Sequence, residues 1–144
     1  MPDRPSSLIG WRLLALLYDL FPALALWFVV AAAFTLVHGD AVRGGALGLL
    51  EFAALWLVTG LYATWSWHRG GQTLGMRPWR LHLVAVDGGR PGWRALWLRY
   101  ALGGVSLLAG GLGFWWAWLD RDRLTWHDRL SRTRLLRGQA RPLA

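Results

Sequence analysis

The sequence contains no cysteine and no lysine. Without cysteine there is no disulfide, no thiolate nucleophile and no Cys-based zinc site. That absence leaves the compartment open. The four histidines (His38, His68, His82, His127) are scattered, and His127-Asp128 is one His beside one Asp, too few ligands for a metal. No Ser/His/Asp arrangement, phosphate loop or paired-carboxylate layout emerges. An enzyme, a bound cofactor and a metal centre are therefore not expected.

With lysine missing, all 16 basic residues are arginine, against eight acidic ones, for a net charge of +8. Such a balance can signal nucleic acid, but 55% of the chain is apolar and 12 residues are tryptophan. In a membrane chain, arginine is retained on the cytoplasmic side and contacts anionic headgroups. Most of the tryptophans sit at the ends of apolar runs, where an amphipathic ring anchors at the interface; only Trp27 and Trp56 fall near mid-span. The expected partners are a lipid bilayer with anionic headgroups, and not nucleic acid.

From Leu13 to Val37 the chain runs for 25 residues with Asp19 as its only formal charge. A helix of that length exceeds the roughly 30 Å hydrocarbon core. A carboxylate at such a depth costs about 2.5–3.5 kcal/mol on insertion scales. The run is too long, and too acidic, for a signal peptide. A second span follows over about 46–67, interrupted by Glu51, after the turn at His38–Gly45. Ser6 or Ser7 can cap the first helix, and Pro22 predicts a kink that frees the carbonyl of Tyr18 beside Asp19.

Beyond residue 68 the pattern changes. A Gly-rich basic loop leads to Leu81–Val86, a β-rich stretch ended by Asp87-Gly88-Gly89. Trp93, Leu96, Trp97 and Tyr100 share one helical face with Arg94 and Arg99 off it, the pattern of an interfacial amphipathic helix. A third apolar segment, 100–119, carries five glycines, and Thr133–Leu136 can form a short strand. Three full spans would divide the arginines eight and eight, which leaves the positive-inside rule silent. If residues 100–119 dip in and return at Gly110-Gly111, fifteen arginines lie inside and only Arg43 outside. The count favours two spans plus a re-entrant hairpin, with both termini cytoplasmic and the two short strands able to pair. The expected fold class is an all-α membrane protein with this small strand pair. Residues 1–10 form a polar lead, 11–137 a single membrane domain and 138–144 a polar tail.

The segments WRLLALLYD, RGGQTLGMRPWRLHLVAVDGG and WHDRLSRTRLL, in this order and spacing, resemble the RDD family of small prokaryotic membrane proteins. The family is named for one Arg and two Asp, which correspond by motif to Arg12, Asp19 and Asp128. The resemblance covers roughly residues 8–137. It departs at Ser131-Arg132, where the family usually has Ala-Gly or Ser-Gly. It implies a bacterial inner-membrane location and a role in transport, without specifying a substrate.

Arg12 and Asp19 lie about 20° apart around a helix but about 10.5 Å along it, and helical side chains lean toward the N-terminus. Arg12 is thus expected to meet Asp128 as a clasp, while Asp19 finds partners on the second helix. Thr59 and Tyr62 lie at matching depth, and Ala15 and Ala23 flank Asp19 so that another element can approach. Tyr18, Thr59, Tyr62, Gln72 and Thr73 are the candidate supporting residues. The expected function is assistance in translocating a small ion or solute, a monovalent cation or proton, by a homo-oligomer. The alternative is a non-transporting scaffold or assembly partner whose buried charges are structural.

Overall fold

The computed structural model describes residues 8–138. Residues 1–7 of the polar lead, with the Ser6 or Ser7 cap, and nearly all of the polar tail lie outside that range, while Ile9 and Gly10 already belong to the first helix. Helix α1 (Ile9–His38) has 30 residues and α2 (Gly45–Gly70) has 26, each long and apolar enough to cross a membrane. Helix α1 starts from Leu8, whose φ is 51° and which offers no capping side chain, and continues unbroken through Pro22. Gly39 and Gly71 end the two helices in the left-handed conformation, each returning its N–H to a carbonyl of the last turn.

The remainder is β1 (Leu81–Ala85), α3 (Trp93–Leu108), α4 (Leu112–Leu119), α5 (Trp126–Leu130) and β2 (Thr133–Arg137). Strands β1 and β2 pair antiparallel, Leu81 opposite Arg137 and Ala85 opposite Thr133. The fold is mostly helical, with two membrane-length helices and this small strand pair. Helices α3 and α4 bend by 97° at Ala109–Gly111, and Gly110 and Gly111 both have positive φ, a conformation that glycine adopts without a Cβ penalty.

Residues 93–100, expected as a separate interfacial helix, continue into the apolar segment as one helix. Their aromatic face packs on α2: a Cβ on Gly60 would lie 2.6 Å from the Trp97 ring and 2.8 Å from that of Tyr100. The Tyr100 hydroxyl donates to the Trp56 carbonyl at 2.8 Å.

Buried apolar residues are concentrated at one end of the molecule. Ala15, Met76, Leu81, Leu83 and Leu96 form the core there, flanked by Trp11, Trp67 and Trp79. Toward the middle of α1 and α2, large apolar side chains such as Phe28 (76% exposed) and Phe52 (64% exposed) point outward. Such a surface is stable against lipid and not against water. The start of α1, the end of α2, the sheet and α5 all gather at the core end.

Candidate functional site

Two polar centres hold the three named charges, and they are built differently. The first is at Asp128. Thr125 caps α5, accepting from the Asp128 N–H at 3.4 Å, while Asp128 Oδ2 accepts from the Thr125 N–H at 3.2 Å. This capping box fixes the carboxylate at the start of a five-residue helix. Arg12 Nη2 then donates to Oδ2 at 2.6 Å, and Arg99 Nη1 donates to Oδ1. Arg12 also reaches Thr125 at 3.3 Å, and Arg99 reaches Thr133 at 2.9 Å.

All of these side chains are buried, Asp128 completely. Burial alone would raise its pKa, but the charges of Arg99 and Arg12 outweigh this and hold it well below the usual carboxylate range. The neighbouring His127 has its ring against Phe114, and burial, reinforced by Arg99, lowers its pKa to about 3. It is neutral at physiological pH. The centre therefore joins α1, α3 and α5 through charge-assisted bonds shielded from water.

The second centre is at Asp19, half-buried on α1. Its Oδ1 accepts from the Tyr62 hydroxyl at 2.7 Å and from the Gly75 N–H at 2.9 Å, and Oδ2 accepts from the Thr73 hydroxyl. Tyr62 in turn accepts from the Leu74 N–H at 3.0 Å. One carboxylate thus binds α2 and the loop after it. Gly75 is required for this approach, because a Cβ there would collide with the Ala15 carbonyl and lie 2.7 Å from the Asp19 backbone N. Asp19 makes no ion pair among the described residues.

The Arg, the two Asp and their arrangement match the pattern for which one family is named, and the RDD family model matches residues 7–132. The chain belongs to the RDD family. No curated relative and no solved structure matches it. In this RDD protein Arg12 and Asp128 are in direct contact, and Asp19 is bonded to Tyr62 and Thr73. Thr59 does not reach Asp19: it accepts from Trp27 Nε1 at 2.7 Å and donates to the Leu55 carbonyl at 2.8 Å. Gln72 instead donates to the Leu81 carbonyl at 2.8 Å and ties the loop to β1, while the Tyr18 ring packs edge-on against Trp79.

Helical periodicity places Arg99 off the aromatic face, where an arginine is expected to meet water or headgroups. A signal was present, however. Leu96, Arg99, Gly103 and Ser106 repeat at three- and four-residue intervals, and two polar residues on one stripe of an apolar helix mark a buried polar contact. Both centres open onto one cavity of about 360 Å³ between α1, α2 and α3, which Arg12, Asp19, Tyr62, Thr73, Arg99 and His127 help to line.

Proposed function

We propose that this RDD protein resides in the bacterial cytoplasmic membrane and, as an oligomer, assists translocation of a monovalent cation or proton through Asp19. One observation carries the reading: Asp19, on a membrane-length helix and facing a cavity, has no basic partner among the described residues. A carboxylate in that position is neutralised by a proton or by a cation, and the two exclude each other. The hydroxyls of Tyr62 and Thr73 now donate to Asp19. Turned through their lone pairs, the same oxygens can join the carboxylate around an alkali cation, which takes hard oxygen ligands.

The orientation proposed is cytoplasmic for both termini. The pairing of β1 with β2 and of Arg12 with Asp128 favours a return of the α3–α4 segment to the side it left, and the fifteen arginines then gathered on that side favour the cytoplasm. In proteoliposomes, wild-type protein should show cation flux driven by a pH gradient, and Asp19→Asn should fold and insert but abolish it. Asn retains the size and an acceptor oxygen but cannot exchange a proton for a cation. Equal flux by the Asn variant, or none by the wild type, defeats the reading. An Asn variant that unfolds identifies the charge as a structural latch instead and favours the scaffold alternative.

A further inference from the structure

The Asp128 centre is not electrically balanced. Two guanidiniums face one carboxylate, and among the described residues neither arginine has a second carboxylate within ion-pair distance. Asp19, the acid that lines the cavity, is engaged by three donors of its own. Hydrogen bonding is incomplete as well. Among the described residues, Arg12 Nε and His127 Nδ1 are buried without a partner and Arg99 donates only through Nη1. Arg12, Arg99 and His127 all line the cavity, and the wall beyond them is apolar along Leu16, Leu20, Leu107 and Phe114.

An excess buried cation with unused donors calls for an anion, and an apolar wall calls for hydrocarbon. One ligand supplies both. We propose that the cavity binds a single anionic phospholipid of the surrounding bilayer, its phosphate on Arg12 and Arg99 and an acyl chain along the apolar wall. Guanidinium groups suit a phosphate in particular, because their planar fork matches two of its oxygens. A volume of about 360 Å³ lies within the range of sites that enclose small ligands. The inference does not depend on ion translocation.

The test uses the purified full chain in a zwitterionic detergent, with phosphatidylglycerol carrying a fluorescent acyl chain as the probe. Saturable binding of one equivalent is expected, with equally labelled phosphatidylcholine weaker by about tenfold or more. Gly103→Leu is the informative variant. Gly103 lines the cavity, and a Cβ there meets nothing within 4 Å, so a leucine enters that space while both arginines are retained. Gly104, whose Cβ would lie 3.8 Å from Trp56 Nε1, provides a second filling variant as Gly104→Leu. Whichever variant retains the wild-type melting temperature should bind phosphatidylglycerol about tenfold more weakly. Equal binding of the two lipids overturns the proposal, as does undiminished binding by a folded filled variant. Displacement of the probe by inorganic phosphate at matched concentration would assign the charge to a soluble anion and overturn it equally.

Discussion

At the scale of single residues, Asp128 and His127 are neighbours with opposite consequences. Asp128→Ala leaves two buried guanidiniums without their carboxylate, and breaking such a pair costs about 3–5 kcal/mol. The measurement is the melting temperature or abundance in membranes, and Arg12→Ala should act in the same direction. His127 sets the pH response. Its folded pKa of about 3 lies below the ordinary histidine value, so below about pH 6.5 the unfolded chain takes up a proton that the folded chain refuses. Stability should therefore fall on acidification, by up to about 1.4 kcal/mol per pH unit, until the folded imidazole itself titrates. Asp128 keeps its contribution down to the ordinary carboxylate value near 3.8 and loses it progressively from there toward its own strongly lowered pKa. Thermal melts between pH 7 and pH 4 should show the slope in wild type and a flatter one in His127→Gln. Arg132 presents a third case. It holds φ of 52° where the family usually has glycine, and its side chain is exposed. Relieving that backbone strain with Arg132→Gly should raise stability by about 1 kcal/mol.

At the scale of elements, much was legible because it depends on local pattern. The two long helices follow from uninterrupted apolar runs, the break at Gly110-Gly111 from paired glycines, and β1 from a β-rich stretch before a Gly-rich turn. The direction in which helical side chains lean excluded an Arg12–Asp19 pair, and the resemblance to the family motif supplied Asp128 as the other partner. What local pattern could not deliver was the loop at residues 71–80. Its Thr73 hydroxyl and Gly75 N–H reach Asp19 only because the loop folds back onto α1, and no periodicity encodes a return of that kind. Arg99 was hidden for a related reason: a cation is assigned to solvent until its distant partner is known. The proposed re-entrant path makes its own prediction. Topology reporters inserted at Gly88 and fused to the C-terminus should fall on the same side of the membrane, and one at Asp40 on the other. A C-terminal reporter opposite to that at Gly88 would require three full spans.

At the scale of the molecule, the two membrane-length helices have little apolar core between them. The core and both polar centres lie toward one end, while large side chains such as Phe21 and Leu49 remain exposed along the spans. Two spans with a bent helix pair cannot by themselves surround a polar path. Cross-linking in intact membranes should therefore capture a dimer or larger assembly, and exclusive recovery of monomer would count against translocation. The Asp128 clasp also imposes a sequence of events in time. Arg12 and Arg99 emerge from the ribosome before the carboxylate that neutralises them, so under the proposed topology both guanidiniums are still hydrated while the spans insert. During that interval they are free positive charges of the kind that hold a helix end on the cytoplasmic face. When α5 arrives, Asp128 withdraws the same two residues from water. In that topology the charges that orient the nascent chain become the charges that lock the finished one.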